Sequence, residues 1–326
     1  MIKHTPFEGD TPAYGLVGDS PRMQGVLRII GKLSNDTSPV LITGESGTGK
    51  ELVARAVHQV SPLAAKKMVA VDSATLVGSL MESELFGHVK GAFTGAIDNK
   101  LGLVRAAAGG TLFLDEIGEL NPETQAKLLR LLQEGEIRPI GATEPIRVSV
   151  RVIAATNRNL EEAVRKKEFR EDLYYRLKVI TIRVPTLRDR PTDILPLAWH
   201  FIAKYAVHAV SLSEAVKKEL IEYAWPGNVR ELENTIRQIV VLNSNPLVEP
   251  KDLPSNLRNA RIAGGANGHS GGIVPLEELE RRHIMEAVEY AKGDITHAAT
   301  VLGISKATIR RRLKKYEDQG RGLGGW

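Results

Sequence analysis

The sequence contains no cysteine, so disulfides, thiolate metal sites and a cysteine nucleophile are excluded. It also lacks any apolar run approaching the roughly 18 residues that a membrane span requires. Its opening, MIKHTPFEGD, has none of the apolar stretch of a signal peptide. These absences lead to the expectation of a soluble chain that is not exported and works in a reducing, cytoplasmic compartment. What is present is the usual globular balance, with 42% apolar and 25% charged residues among 326, which excludes a mainly disordered polymer. The length suits a core-forming domain of about 250 residues with a small added module, hence two or three domains. The net charge is only +5, yet between Lys292 and Tyr316 seven Lys or Arg face the single acid Asp294, so that +6 is gathered there and the rest sums to about −1.

Residues 1–13 hold Pro6, Gly9 and Pro12 without periodicity and read as a tail. From 14 to 184, short apolar runs beginning at Val40, Met68, Thr111 and Val150 alternate with helical stretches such as 51–60 and 123–134. That order implies an α/β subdomain with a buried parallel sheet flanked by helices. From 185 to 256 the pattern is helical only, with runs at 194–207, 213–223 and from Pro226-Gly-Asn to about Leu242, and reads as an all-helical lid. Five glycines in 259–275 mark 257–275 as a flexible linker. A separate module follows from 276 to 316, and 317–326 reads as a disordered tail. There is no internal repeat.

Gly44-Glu-Ser-Gly-Thr-Gly-Lys50 follows the apolar run Val40 to Thr43 and precedes a helical stretch, the strand, loop and helix order of a phosphate-binding P-loop. Glycines at 44, 47 and 49 let backbone N–H groups turn inward around phosphate oxygens, the helix N-terminus adds positive dipole, and Lys50 supplies a point charge. Position 51 is Glu where the general pattern has a magnesium-binding Ser or Thr. The metal must therefore lean elsewhere, and Thr111-Leu-Phe-Leu-Asp115-Glu116 offers the place: Asp115 would hold magnesium, directly or through water, and Glu116 would polarise the attacking water. Acids at a strand end can also be helix caps. Ala154-Ala-Thr-Asn157 closes another buried strand with polar groups able to orient water and γ-phosphate.

In the C-terminal module Leu276, Leu279, Met285 and Val288 recur at helical spacing, a stripe suited to pairing with a second copy. Ile295 to Leu302 reads as a short helix, Gly303 as a turn, and Ser305 as the N-cap of a helix from Lys306 to about Tyr316. This is a helix-turn-helix. Lys306, Thr308, Arg310, Arg311, Arg312 and Lys314 offer phosphate and base contacts to double-stranded DNA, although a basic helix can also be a solvated face.

Together these residues resemble the AAA+ ATPases. Gly91, Ala92, Phe93, Thr94, Gly95 and Ala96, the hexapeptide GAFTGA, narrow the resemblance to the sigma-54-dependent activators, whose words GESGTGKE (44–51), GGTLFLDEIGEL (109–120), FREDLYYRL (169–177) and WPGNVREL (225–232) are also present. The likeness spans about 14–256 and resumes at 276–316, where the module is similar to Fis-type helix-turn-helix domains. GESGTGKE makes Glu51 the family's ordinary residue, so Gly44, Glu45, Ser46, Gly47, Thr48, Gly49, Lys50 and Glu51 are all expected at the nucleotide, with Val17 and Gly18 near adenine. The resemblance further implies that Arg170 and Arg176 are arginine fingers serving a neighbouring subunit's γ-phosphate, and that Arg230 is the lid's sensor arginine. Residues 91–96 would be a mobile loop touching sigma-54 through Phe93 and Thr94; without the family, Phe93 reads as well as a core residue, and the three arginines read as surface charges.

One position departs from the pattern. Asp72 stands where most of these activators have an asparagine that hydrogen-bonds the glutamate at the position of Glu116. Either Asp72 and Glu116 move apart at neutral pH, leaving Glu116 less restrained, or Asp72 caps the turn after its strand. The function the resemblance implies is an ATP- and magnesium-dependent activator, dimer to hexamer, that remodels sigma-54 RNA polymerase from upstream DNA. The alternatives are a DNA-binding regulator with a vestigial ATPase and a chaperone-like AAA+ remodeller. Since no sensory domain precedes residue 14, control is expected from a partner protein in trans, from expression level, or from a domain outside this chain.

Overall fold

The computed structural model describes residues 13–74, 79–243, 245–255 and 257, and in the C-terminal part 280–321 apart from 282, 286, 289, 290 and 292. The N-terminal tail up to 12, the linker from 258, Leu276, Leu279, Lys292 and the tail from 322 lie outside the described residues. The chain divides into two units, 1–262 and 263–326.

The first unit is built on a five-stranded parallel sheet in the order β2 (Met68–Asp72), β5 (Thr111–Asp115), β8 (Arg151–Thr156), β1 (Val40–Thr43), β9 (Ile180–Arg183). Alternate residues of each strand leave opposite faces of a sheet, and here both faces are covered. Leu41, Leu112, Leu114, Val152 and Ala154 pack with α3 (Ser79–Phe86), α4 (Leu103–Ala106), α5 (Pro122–Glu134), α6 (Leu160–Arg165) and α7 (Glu171–Leu177). Val40, Ile42, Phe113, Ile153 and Ala155 pack with α1 (Pro21–Lys32) and α2 (Lys50–Gln59). Burial on both faces is why the inner strands read as unbroken apolar runs. The edge strand β9 alternates instead, with Ile182 buried and Thr181 and Arg183 exposed, so no apolar run announces it.

Register places Thr43 opposite Thr156 and Asp72 opposite Asp115, so the carboxyl ends of four strands share one edge. That edge is where ligands sit in open parallel sheets. Between β2 and β5 the chain leaves the sheet through α3 and a small antiparallel hairpin, β3 (Gly87–His88) with β4 (Lys100–Leu101), which carries GAFTGA at its end. A second hairpin, β6 (Glu136–Ile137) with β7 (Ile146–Arg147), follows α5 and touches the first, since Val89 donates its N–H to Ile140 O at 3.0 Å.

The lid packs α8 (Ile194–Tyr205), α9 (Glu214–Glu222) and α10 (Asn228–Leu242) around the fully buried Trp225, whose indole N–H donates to Leu220 O at 2.8 Å. It is not helical throughout: β10 (Ser211–Leu212) and β11 (Leu247–Val248) form a two-residue parallel pair, too short to impose a period on the sequence. Among the described residues no helix is long and apolar enough to cross a membrane.

In the second unit, Ile284, Ala287, Ala291, Ala298, Ala299, Ile309 and Tyr316 form a small core. Helix α11 (Ile295–Leu302) is capped by Asp294, which accepts from Thr296 N at 2.7 Å, and ends at Gly303 with φ 65°. Ser305 Oγ accepts Thr308 N at 3.1 Å and so caps α12 (Lys306–Arg321). This helix runs to Arg321, past the end at Tyr316 that the sequence suggested. Val288 of the apolar stripe packs on the module's own core, whereas Met285 is exposed.

Candidate functional site

The loop from Gly44 to Gly49 turns at the end of β1, with Gly47 at φ 75° and Gly49 at φ 99°, conformations that side-chain-bearing residues resist. Its Thr48 Oγ1 donates to Glu45 O at 2.8 Å and closes the turn. Lys50, only 6% exposed, lies beneath it and donates to Gly44 O at 3.2 Å and Glu45 O at 3.4 Å. The same ammonium stands 3.3 Å from Glu116 Oε1. Thus the cation of the phosphate loop and the carboxylate after β5 meet in one place. Glu51, by contrast, is on the exposed side of α2, paired with Arg55 at 2.7 Å.

Glu116 has φ 49°, the left-handed region that costs a side-chain-bearing residue energy and often marks a functional position. Its Oε2 accepts the Asn157 N–H at 3.0 Å, so it is Asn157's backbone that orients the carboxylate, while the residue's side chain is exposed. Burial holds the Asp115 carboxyl above the usual carboxylate range, opposed by the Glu116 N–H that Oδ1 accepts and reinforced by the Glu116 charge. Asp72 accepts the Ala74 N–H at 2.9 Å, the geometry of a turn cap, and its partner in register is Asp115.

No cluster of three or more His, Cys, Asp or Glu able to cage a metal occurs among the described residues. A desolvated carboxylate beside a phosphate loop suits magnesium, which keeps waters and binds through one or two carboxylates plus substrate phosphates. The donor set therefore fits magnesium carried with a nucleotide.

The lid is bound into this site by Arg230, which the sequence singled out, and by Arg188, Arg190, Asp193 and Asn228, which it did not. Arg188 makes a bidentate pair with Glu45, one arm at 3.2 Å. Asn228, fully buried at φ 54°, donates to Glu45 Oε2 at 3.2 Å and Ser46 O at 3.0 Å, and accepts from Leu187 N at 2.9 Å. Buried Arg190 donates to Thr48 O at 3.2 Å, and Asp193 accepts from the N–H groups of Asp19 and Ser20, both at 2.9 Å, beside Gly18. Arg230 reaches Ser46 Oγ at 3.2 Å and donates its own N–H to Gly47 O at 3.2 Å. Val17 packs against the lid core.

Arg170 and Arg176 have other surroundings. Arg170 pairs with Asp172 at 2.7 Å and Arg176 donates to Leu132 O at 3.1 Å, so their contacts lie on α5 and α7 and none reaches the phosphate loop, Asp115 or Glu116. In the hairpin, Gly91 has φ 80° and Gly95 φ 103°, with open space around both. Gly91 N donates to Ala96 O at 2.9 Å, closing the loop, and Ala96 is buried beneath it. Phe93 is 44% exposed, its ring edge-on to His88 at 5.0 Å, so it is not a core residue.

On α12, Lys306, Arg310, Arg311 and Lys314 are exposed and Thr308 is half-buried. Arg312 stands apart, half-buried and paired with Glu280 at 3.0 Å.

Comparison with known proteins places three family models along the chain: a sigma-54 interaction domain at 16–183, an AAA+ ATPase lid domain at 188–269 and a bacterial regulatory protein of the Fis family at 275–316. The transcriptional regulatory protein ZraR of Klebsiella oxytoca is 45% identical over 312 residues, which is 94% of this chain and 70% of that protein. FlbD of Caulobacter vibrioides is 41% identical over 322 residues, 94% of this chain and 71% of that one. Among solved structures, NtrX from Brucella abortus in complex with ATP matches with a TM-score of 0.71 at 32% identity, covering 92% of this chain and 68% of NtrX.

Proposed function

The chain belongs to the sigma-54-dependent transcriptional activators, and from that premise we propose that it hydrolyses ATP in a ring, most simply a hexamer, to convert closed sigma-54 RNA polymerase complexes into open ones while held on upstream DNA. The observation that carries this reading is the meeting of Lys50 with Glu116 at 3.3 Å on the sheet edge where Asp115 also ends. The N–H groups of the loop and the Lys50 ammonium hold the phosphates, and Asp115 would hold magnesium, directly or through water. Magnesium bound with the nucleotide would supply neutralisation of the developing phosphate charge. Glu116, aimed by the Asn157 N–H, accepts a proton from the attacking water, whose oxygen takes the γ-phosphoryl group as ADP leaves.

In the ring Arg170 and Arg176 serve a neighbour's γ-phosphate, a role with which their contacts to Asp172 and Leu132, away from their own phosphate loop, are compatible. The glycine-hinged loop presents Phe93 and Thr94 to sigma-54, and α12 contacts DNA through Lys306, Thr308, Arg310, Arg311, Arg312 and Lys314, with the exposed ones reaching phosphates first. NtrX in complex with ATP supports the nucleotide, and the absence of a spanning helix among the described residues accords with a cytoplasmic protein. The test is open-complex formation by purified protein at a sigma-54 promoter. It should require a hydrolysable nucleotide, and equal activity with a non-hydrolysable ATP analogue would overturn the proposal.

A further inference from the structure

Three consecutive carbonyls on the outside of the phosphate loop are each taken by a donor from the lid. Ser46 O accepts from Asn228 Nδ2 at 3.0 Å, Gly47 O from the Arg230 N–H at 3.2 Å, and Thr48 O from Arg190 Nη2 at 3.2 Å. The approach is close enough that a Cβ on Gly47 would lie 2.4 Å from Gly227 O. Peptide planes are rigid, so a carbonyl fixed outward turns the next residue's N–H inward. Among the described residues, no protein acceptor takes the N–H groups of Gly47, Thr48 or Gly49. An array of inward N–H groups is an anion cradle.

Asn228 is the centre of this arrangement. It is fully buried, held at φ 54° in a conformation Asn tolerates better than most residues, and fixed by the Leu187 N–H on its oxygen. Its amide also donates to Glu45 Oε2, and Arg188 completes the neutralisation of that carboxylate. Left without these partners, Glu45 would place a negative charge at the rim of a site meant for phosphate. Burial and these hydrogen bonds give Asn228 no path to a nucleotide, so it acts through the loop.

We propose that Asn228 and Arg188 are positioning residues of the phosphate site: by capping the loop's outer carbonyls and its one carboxylate, the lid keeps the phosphate cradle formed and free of repulsion. Phosphate affinity then depends on the lid even without a lid side chain touching the nucleotide. The proposal rests on the reading of 44–50 as a nucleotide site.

Competition by ADP and by adenosine against a fluorescent ADP analogue separates the possibilities, because only ADP uses the cradle. In Asn228→Asp, which keeps the acceptor for Leu187 N but loses both donor contacts and sets a second carboxylate against Glu45, ADP affinity should fall at least about tenfold, equivalent to about 1.4 kcal/mol, with adenosine affinity unchanged. The double variant Glu45→Gln/Asn228→Asp, which puts the amide on the loop and the carboxylate on the lid, should recover part of the loss. Arg188→Ala, at an exposed pair that folding does not depend on, should weaken ADP and be restored by adding Glu45→Gln. Unchanged ADP affinity in folded Arg188→Ala, or equal weakening of ADP and adenosine, would overturn the proposal. Failure of the unaltered protein to bind ADP would instead overturn the nucleotide-site reading on which it rests.

Discussion

Glu116→Gln should do two opposite things. The Lys50 ammonium is shared between loop carbonyls and Glu116 at 3.3 Å, with the lysine 6% and the glutamate 19% exposed. A nucleotide must win that ammonium from Glu116. The bare attraction at this separation is about 5 kcal/mol at an effective dielectric of about 20, but desolvating two ions removes most of it. A net value of about 1.5 kcal/mol, the lower end for a hydrogen bond to a charged group, remains as the cost of exchanging partners. Glutamine keeps the shape, and its Oε1 can still accept the Asn157 N–H, but it cannot hold the ammonium as tightly or take a proton from water. The variant should therefore bind a non-hydrolysable ATP analogue about tenfold more tightly while hydrolysis slows about 100- to 10,000-fold. Equilibrium titration and single-turnover hydrolysis on the same preparation read both. An affinity that is unchanged or weaker in the folded variant would refute the idea that Glu116 competes with phosphate for Lys50.

Mixing Lys50→Ala with Arg170→Ala subunits should restore part of the hydrolysis that each lacks alone, because some interfaces then pair an intact site with an intact finger; no recovery in demonstrably mixed rings would count against fingers acting in trans. Asp72→Asn should keep the turn, since the asparagine oxygen can accept the same Ala74 N–H, while its amide gains the ability to restrain Glu116. Lower basal hydrolysis and greater stimulation by sigma-54 are expected, and no change in either would leave Asp72 as a turn cap alone. Burial holds the His58 imidazole below its ordinary pKa, and Nδ1 lies 2.9 Å from Thr111 Oγ1. A depressed folded-state pKa means that the unfolded chain takes up the proton first. Stability should thus fall as pH drops below about 6.5, by up to about 1.4 kcal/mol per pH unit, and the slope of melting temperature against pH should flatten in His58→Asn.

Four of the five strands were legible because β1, β2, β5 and β8 carry apolar runs, three of them covered on both faces. The edge strand β9 was not, because Ile180-Thr-Ile-Arg alternates and is buried on one face only. The phosphate loop, Asp115 and Glu116 were legible because each is a local word at a strand end. The lid's grip on them was not, since the contacts of Arg188 and Asn228 with Glu45 span 143 and 183 positions. A signal existed: Arg188, Asp189, Arg190 and Asp193 crowd the first turns after the last sheet strand, next to the edge where the site lies. The Asn after Pro226-Gly was read as a helix opening, and its left-handed backbone was not foreseen. The basic face of α12 was read whole, whereas Arg312 is drawn to Glu280 by packing that the sequence pattern does not encode.

In the proposed function, hydrolysis at the sheet edge is transmitted to sigma-54 through the glycine-hinged loop. Thr94 sits at its tip between Gly91 and Gly95, with Ala96 closing the loop onto Gly91. The most direct measurement takes Thr94→Ala and reads ATP hydrolysis and open-complex formation side by side with sigma-54 polymerase. Hydrolysis close to that of the unaltered protein and no open complex are expected. Open complexes formed at the normal rate would contradict this reading, and so would loss of both activities in a folded, assembled variant.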